Sequence, residues 1–174
     1  AVLFADISGF TALTERLAQR GLSGAEELTQ LLNTYFGQLI ELISAHGGEV
    51  VKFAGDALLA LWPIQEEEGS SSAFLLASSL QRAAQCALSI QAQLHNYEAS
   101  EGTRLALRIG LGVGEVFTMH LGGEHGRWEF LIAGDPLTQV SLAEQQAQPG
   151  QLVLSPEAAA LIQDQCVGHA LPGG

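Results

Sequence analysis

The sequence predicts an α+β domain in which helices cover one face of a mixed, largely antiparallel sheet. Apolar residues recur with the period of a helix over residues 28–43, whereas two short apolar runs flank the turn dipeptide Gly55-Asp56, as in a β-hairpin. Three further strand patterns follow one another between residues 104 and 133 with no helix among them. Grouped strands and grouped helices are typical of the α+β class, because strict alternation of the two would build a parallel sheet instead.

The N-terminal half predicts a strand, two helices and a hairpin. Residues 1–5 form a short apolar strand, and residues 11–19 form a helix. Ser23-Gly24-Ala25-Glu26 predicts the start of a second helix as a capping box, and Gly47-Gly48 predicts its end. The hairpin strands are 49–53 and 57–62, and the apolar stripe of the second helix consists of Leu28, Leu31, Leu32, Tyr35, Phe36, Leu39, Ile40 and Ile43.

The C-terminal half predicts three helices and four strands after a polar loop over residues 64–72. Asp135-Pro136 has the cap and first-turn residues of a helix start. The resulting order β, α, α, β, β, α, β, β, β, α, β is related to the ferredoxin-like split βαβ arrangement. The elements are a helix over 73–97, strands over 104–113, 115–121 and 128–133, a helix over 135–147, a strand over 151–154 and a short helix from Ser155-Pro156.

Length and charge limit the possible functions. With 174 residues, 47% of them hydrophobic, the chain is long enough for one domain with its own core. Its 19 acidic and 7 basic residues give a formal charge of -12. Such a chain offers no basic surface to nucleic acid or to an anionic membrane, so we expect neither as a partner. An anionic ligand would need a metal ion to offset the repulsion.

The cysteines and the chain ends indicate a cytoplasmic setting. Cys86 and Cys166 lie far apart without a zinc-type spacing, so we expect inert thiols in a reducing compartment. No apolar run approaches the roughly 18 to 20 residues of a membrane span, and no signal peptide opens the chain. Because the chain lacks an initiator Met and begins inside a strand, we expect it to be a piece of a longer protein.

Two carboxylates stand at the ends of predicted strands. Asp6 ends the first apolar strand and is followed by a helix start that contains Gly9. Asp56 lies in the hairpin turn, four residues after Lys52, which is the only lysine of the chain. Carboxylates at strand ends are suitable ligands for divalent metals, so the pattern predicts a pair of metal ions.

Residues 4–11 read Phe-Ala-Asp-Ile-Ser-Gly-Phe-Thr, residues 51–62 read Val-Lys-Phe-Ala-Gly-Asp-Ala-Leu-Leu-Ala-Leu-Trp, and Arg108-Ile109-Gly110 follows later. Together these motifs resemble the catalytic domain of class III nucleotidyl cyclases, and most of all the first domain of soluble bicarbonate-responsive adenylyl cyclases. The resemblance runs nearly end to end and implies a single such domain over residues 1–174. In this family two domains pair head to tail, and ATP in the groove between them is cyclised to cAMP and pyrophosphate.

The resemblance implies a role for each motif residue. Asp6 and Asp56 would hold two Mg²⁺ (or Mn²⁺) ions as the catalytic ligands, with the backbone carbonyl of Ile7 as a further ligand. A helix N-terminus favours an anion, and a guanidinium suits a bidentate phosphate contact. The residues expected around the ATP phosphates are Ile7, Ser8, Gly9, Phe10, Thr11 and Arg108.

Three positions depart from the family pattern. Domains that supply the other half of the groove carry a purine-selecting residue, a ribose-orienting Asn and a transition-state Arg where this chain has Leu131, Thr138 and Leu142. The chain is therefore expected to be the metal-donating half and to need a complementary second domain. By the same resemblance Lys52 would lie in the second, degenerate groove, where relatives bind bicarbonate, but the partner arginine position is Ser141.

Structural interpretations and other functions remain open at this point. Asp6 and Asp56 could cap a helix and a turn, Lys52 could be an edge-strand residue with its stem along apolar surface, and Arg108 could be a solvated strand residue. A non-catalytic cyclase-homology module that dimerises and binds a nucleotide or a small anion is the main alternative to the adenylyl cyclase. A diguanylate-cyclase-like palm is disfavoured because no GGDEF-like string occurs. The choice between ATP and GTP depends on the missing half.

Overall fold

The computed structural model describes residues 1–64, 71–100 and 102–171, and most of the polar loop predicted over residues 64–72 lies outside these ranges. The strands are β1 (Val2–Ser8), β2 (Glu49–Ala54), β3 (Ala57–Leu61), β4 (Tyr97–Ser100), β5 (Thr103–Gly112), β6 (Phe117–Gly122), β7 (Trp128–Ala133) and β8 (Leu152–Leu154). The helices are α1 (Phe10–Ala18), α2 (Leu22–Ala45), α3 (Ser72–Leu94), α4 (Asp135–Gln146) and α5 (Pro156–Ile162), with a 3-10 turn at Glu124–Gly126.

Strand β1 lies at the centre of a mixed six-stranded sheet. The order is β2-β3-β1-β5-β4, and β8 joins the C-terminal half of β5 as a parallel neighbour. Both neighbours of β1 are antiparallel to it, and Asp6 stands opposite Ala57 on β3 and Arg108 on β5. The predicted α+β class is confirmed, and the register brings the end of β1 beside the β2–β3 turn.

The main core lies between the sheet and four helices. Alternate residues of β1 and β5 point towards α1, α2, α3 and α5, as the period of a strand requires. Polar residues on the helix faces towards solvent complete the amphipathic pattern that the sequence predicts. The fully buried side chains include Leu3, Leu13, Leu17, Tyr35, Leu39, Ile43, Leu80, Ile90, Leu105 and Leu107.

Helix α4 lies on the opposite face of the sheet, whereas the sequence predicted all helices on one face. The physical reason is the pair Gly110 and Gly112 on β5. A Cβ at Gly110 would come within 2.3 Å of the Val140 carbonyl oxygen, so only glycine allows the helix backbone to approach this closely. Val140 and Ala143 are buried there, outside the main core. This second layer supplies one wall of the site described below.

The predicted start of α2 differs from the structure because of packing. The capping box at Ser23 is wrong, since α2 begins at Leu22 after Gly21, and the Ser23 hydroxyl donates to the Arg20 carbonyl instead. A Cβ at Gly24 would lie 1.9 Å from the Leu17 carbonyl oxygen, so the close contact of α2 with α1 decides where the helix starts.

The predicted helix over 73–97 is too long at its C-terminus. It ends at Leu94, and Tyr97–Ser100 forms the unpredicted edge strand β4. Asn96 takes a left-handed conformation with φ 57°, and Tyr97 packs edge-on against the Tyr35 ring at 5.1 Å. Pairing with β5 therefore overrides the local helical pattern.

Strands β6 and β7 form a separate hairpin whose apolar side chains are exposed. Every residue of β6 is exposed, and Trp128 on β7 retains 64% of its accessible surface. Large exposed apolar patches mark interaction surfaces in soluble domains. Within the described ranges, no helix combines the length and apolarity needed to cross a membrane.

Candidate active site

The two predicted carboxylates lie side by side at one end of the sheet. Asp6 is on β1 opposite Ala57, and Asp56 is in the turn immediately before that residue. The Ile7 N–H donates to the Asp56 carbonyl oxygen at 3.2 Å, which ties the strand to the turn. Both aspartates are partly buried. The pairing of β1 with β3 thus brings together two residues that are fifty positions apart.

The backbone of Ile7 also faces this turn. In an antiparallel pair the N–H and C=O of one residue point to the same neighbouring strand. Because the Ile7 N–H points at Asp56, its carbonyl faces the same turn. Its side chain is buried in the main core, so only the backbone of Ile7 is available to a ligand. A metal-ligand role for this carbonyl, which the resemblance implies, stays a prediction.

Helix α1 begins two residues beyond β1 with an uncapped N-terminus. Gly9 has φ 95°, and no side chain in the described part of the chain caps the helix. A Cβ at Gly9 would lie 2.6 Å from the Arg104 carbonyl oxygen, so both conformation and space require glycine. The first turn contains no acidic residue. Its free N–H groups at Phe10 and Thr11, with the partial positive charge of the helix end, form an environment that favours an anion.

Ser8, Phe10 and Thr11 differ in what they offer at this helix start. Ser8 is the last residue of β1 and is half-buried, and the Phe10 ring packs against the main core. The Thr11 side chain is exposed. Only the backbone of Phe10 therefore faces the solvent side, whereas Thr11 has both its backbone N–H and its hydroxyl available.

Arg108 is not a solvated strand residue. Its Nη2 donates to Asp6 Oδ2 and lies 3.0 Å from Glu144 Oε1 on α4. The hydrogen bond to Asp6, together with the nearby charges of Glu144 and Asp56, raises the pKa of Arg108 above its ordinary value. Because the charge of Asp56 contributes to the raised pKa of Arg108, the Asp56 carboxylate lies near the Asp6–Arg108 pair. One guanidinium is therefore held among three acidic groups.

Glu144 is the site residue that the sequence patterns did not single out. Its side chain is 9% exposed, and burial raises the pKa of its carboxyl although Arg108 acts in the opposite direction. A signal was present in α4, because Val140, Ala143 and Ala147 form an i, i+3, i+7 apolar stripe and Glu144 falls at its i+4 position. A buried charge on an apolar stripe requires a cation, and Arg108 meets that need.

Lys52 lines a separate cavity of about 210 Å³ on the α4 side of the sheet. Phe4, two residues before Asp6, forms its floor, and Ser141 on α4 belongs to the opposite wall. Lys52 has no ion-pair partner within the described residues. The remaining lining residues, Ala54, Leu59, Leu137 and Val140, are apolar. The structure thus brings Lys52 and Ser141 around one cavity and keeps this cavity distinct from the carboxylate pair.

The side chains of Leu131, Thr138 and Leu142 are exposed. Leu131 is on β7 and is 38% exposed, and Leu142 on α4 is 55% exposed. Thr138 is one helical turn before Leu142 and is also exposed. These three side chains provide one hydroxyl and no charge, so they cannot by themselves neutralise a phosphate.

The donor set determines which metal the carboxylate end could hold. Among the described residues, no group of three or more His, Cys, Asp or Glu side chains is arranged to hold a metal ion. The available donors are the two carboxylates and the Ile7 carbonyl, all of them hard oxygen atoms. Mg²⁺ is bound by one or two carboxylates and completes its coordination with water and substrate phosphates, so these residues fit it.

Comparisons with known proteins identify the fold and the relatives of this site. A family model for the adenylate and guanylate cyclase catalytic domain matches residues 1–170. Adenylate cyclase type 10 of Mus musculus is 37% identical over 157 residues, which are 89% of this chain and 9% of the relative. The chain therefore spans less than a tenth of the length of this curated relative.

Two solved structures share the fold. The guanylyl cyclase Cya2 is 26% identical with a TM-score of 0.67, and the match covers 92% of this chain and 76% of Cya2. The adenylyl cyclase CyaB from P. aeruginosa is 23% identical with a TM-score of 0.66, and the match covers 94% of this chain and 80% of CyaB. Because one is a guanylyl and the other an adenylyl cyclase, the shared fold does not distinguish the two purines.

Proposed function

The chain belongs to the family of adenylate and guanylate cyclase catalytic domains, and on that premise we propose that it converts ATP to 3′,5′-cyclic AMP and pyrophosphate. The observation that carries the proposal is the placement of Asp6 and Asp56 side by side, next to the uncapped start of α1. The preference for ATP is supported by the 37% identity to an adenylate cyclase. We further propose that residues 1–174 form one catalytic domain of a longer protein.

Asp6, Asp56 and the Ile7 carbonyl would hold two Mg²⁺ or Mn²⁺ ions. When bound, such ions supply charge for the phosphate oxygens and lower the pKa of the ribose 3′-hydroxyl. The 3′-hydroxyl would give its proton to water, its oxygen would attack the α-phosphorus in line, and the bond from that phosphorus to the bridging oxygen would break, so that pyrophosphate leaves. Placing both carboxylates on rigid backbone, one in a central strand and one in a tight turn, preserves the geometry that this step requires.

The start of α1 would bind the β- and γ-phosphates. The backbone N–H groups after Gly9 point into the space beyond β1, and the helix dipole favours negative charge there. Ser8 and Thr11 add hydroxyl donors at the same place. When nucleotide is bound, Arg108 would leave Asp6 and contact a terminal phosphate. A triphosphate needs positive charge, which this acidic domain would supply through Arg108, the start of α1 and the metal ions.

A second cyclase domain would complete the groove. Leu131, Thr138 and Leu142 supply neither a purine donor nor a transition-state cation, and the loss of one such donor typically costs about 10² to 10³ in rate. The exposed apolar side chains of the β6–β7 hairpin are the surface on which the partner would dock. We expect a complementary domain in the same chain or in a homologue, in head-to-tail arrangement.

Lys52 would bind a small anion such as bicarbonate in its own cavity. Its single ammonium group has no second cation opposite, because Ser141 lies on the facing wall. An exposed ion pair contributes about 0 to 1 kcal/mol, so the hold is weak. We therefore expect modest regulation through this cavity, separate from the metal site.

The proposal is tested by removing each carboxylate. We expect Asp6→Asn and Asp56→Asn to reduce cAMP production below about a tenth of wild type at saturating Mg²⁺, in the full chain with its complementary domain. Asp164→Asn, which removes an exposed carboxylate near α5, is the matched control and should retain full activity. More than a tenth of wild-type cAMP production in either site variant would refute the two-metal assignment. Formation of cGMP from GTP in parallel reactions measures the purine preference.

A second candidate function is a non-catalytic module that binds nucleotide without turnover. The uncharged surface at Leu131 and Leu142 and the Asp6–Arg108 pair favour it. Retention of both aspartates argues for catalysis, because a module without turnover has no need of metal carboxylates. Pyrophosphate release in the presence of a competent partner domain distinguishes the two, since the module would bind ATP, as measured by equilibrium dialysis, and release no pyrophosphate.

A further inference from the structure

Three charged side chains form a chain of contacts on the face of the sheet that α4 covers. Asp6 and Arg108 stand directly opposite each other on neighbouring antiparallel strands, where side chains on one face are about 4.5 to 5.5 Å apart at Cβ. Glu144 reaches the same guanidinium from α4, with 3.0 Å between Arg108 Nη2 and Glu144 Oε1. A single nitrogen atom therefore faces two carboxylates.

This network is not fully satisfied. Arg108 Nε and Glu144 Oε1 are buried and have no hydrogen-bond partner among the described residues, since the 3.0 Å contact does not have hydrogen-bond geometry. Unpaired buried polar atoms are rare and require an explanation. Here the unused donor and the unused acceptor belong to two residues already in contact. A small rotation of Arg108 would join them, at the expense of its hydrogen bond to Asp6.

We propose that Arg108 is an exchangeable counter-ion of Asp6, and that Glu144 is the positioning residue that retains the guanidinium when Asp6 takes a metal ion. This inference rests on the metal site proposed above. Without metal, Arg108 neutralises Asp6 and keeps the carboxylate from being buried unpaired. A divalent cation at Asp6 repels the guanidinium, and Glu144 offers it a second acceptor within reach.

The alternative is a static role, in which Arg108 and Glu144 only anchor α4 to β5. The two interpretations differ for variants that preserve net charge. Exchange requires that the Glu144 side chain reach Arg108. Shortening Glu144 by one methylene therefore hinders the release of Asp6 by Arg108 and weakens metal binding. Removing the Arg108 and Glu144 charges together frees Asp6 and strengthens metal binding. A static anchor changes stability in both cases and leaves metal affinity unchanged.

The test is Mn²⁺ binding by the full chain without nucleotide, measured by electron paramagnetic resonance of the free ion. We expect Glu144→Asp to weaken binding about threefold or more and the double variant Arg108→Met with Glu144→Met to strengthen it by a similar factor, magnitudes within the range of one charge-assisted contact. Both leave the net charge of the site unchanged. Glu157→Asp on the exposed side of α5 is the control and should bind as wild type.

Each outcome decides the question. Unchanged or tighter binding in Glu144→Asp overturns the inference, and this conservative variant keeps the test valid even if the double variant does not fold. Unchanged or weaker binding in a folded double variant, checked by circular dichroism, overturns it as well. Wild-type binding that survives Asp56→Asn refutes the metal site itself, whereas binding that is lost in Asp56→Asn but insensitive to Glu144 and Arg108 refutes only the exchange.

Discussion

The carboxylate end of β1 and the exposed residues of β7 and α4 carry opposite kinds of side chain. At the first, Asp6, the Ile7 carbonyl and the uncapped start of α1 belong to one β–turn–α unit, and the pairing of β1 with β3 brings Asp56 in the β2–β3 turn beside them. At the second, Leu131 and Leu142 are exposed apolar side chains at positions where the resemblance leads us to expect polar or charged groups. This contrast supports the proposal that a second cyclase domain completes the site. The difference is therefore the main argument for a half-site.

The largest effect should come from supplying the second region. We expect the chain alone to produce cAMP at least about 10² to 10³ times more slowly than a mixture with a complementary domain that carries Asn and Arg at the positions of Thr138 and Leu142. Thr138→Asn with Leu142→Arg should restore a trace of activity to the isolated chain. Robust cAMP synthesis by the purified wild-type chain, proportional to its concentration, would contradict the comparison.

A smaller effect is expected where the first region depends on glycine. Gly9→Ala forces a left-handed residue and a contact of 2.6 Å with the Arg104 carbonyl oxygen, so it should lower the free energy of unfolding by about 2 kcal/mol. Gly37→Ala is the matched control, because nothing lies within 4 Å of its added Cβ in the interior of α2, and it should stabilise by about 0.5 to 1 kcal/mol. Urea unfolding measures both. Equal effects of the two changes would mean that the start of α1 is not constrained.

The buried acid of α4 makes a prediction about pH. Burial raises the pKa of Glu144 above its ordinary value of 4.5, so folding favours its protonated form. The stability that protonation provides is present below pH 4.5 and is lost as the pH rises through the raised pKa. Glu144→Gln cannot titrate, so its free energy of unfolding relative to wild type should rise across this window and then level off.

The measurement is urea unfolding of both proteins at several pH values between 4 and 8. Glu157→Gln removes one exposed carboxylate and serves as the control for net charge. A difference between Glu144→Gln and wild type that stays constant, or falls, as the pH rises would show that Arg108 outweighs burial at this site.

The smallest effect concerns the Lys52 cavity between the two regions. Bicarbonate should stimulate cAMP production by the two-domain enzyme only weakly at fixed pH, and Ser141→Arg should increase the response because a second charge-assisted contact adds about 1.5 to 3 kcal/mol. Ser141→Ala is the control and should respond as wild type, whereas Lys52→Ala should lose the response. A strong wild-type response that persists in Lys52→Ala would show that bicarbonate does not act through this cavity.

Local sequence was sufficient for the elements that carry the proposed chemistry. The end of β1, the Gly55-Asp56 turn and the start of α1 are each encoded within a few residues, because turn dipeptides, helix-start glycines and alternating apolar residues act over short distances. The apolar stripe of α2 is likewise readable, since a helix needs only its own period to form. Asp6 and Asp56 could therefore be singled out as candidates from their neighbouring residues, whereas the role expected of Gly9 came from the resemblance.

Interactions between distant segments account for the features of the fold that the sequence patterns did not predict. Helix α4 lies on the far face of the sheet because Gly110 allows close contact with Val140. Strand β4 forms because Tyr97 pairs with β5 and packs against Tyr35. Neither contact leaves a periodic signal in its own segment. Sequence patterns record which face of an element is apolar, but not which other element will cover it.

The sequence by itself determined the α+β class, the two motifs with their carboxylates, and the absence of cations at Leu131 and Leu142. Only the tertiary structure decided that Arg108, which is 102 positions from Asp6, would occupy that carboxylate, and that Glu144 would share it. The physical reason is that the partner of a charge is set by strand register and by helix packing. These depend on backbone contacts across the whole chain, whereas the motifs depend only on their neighbours.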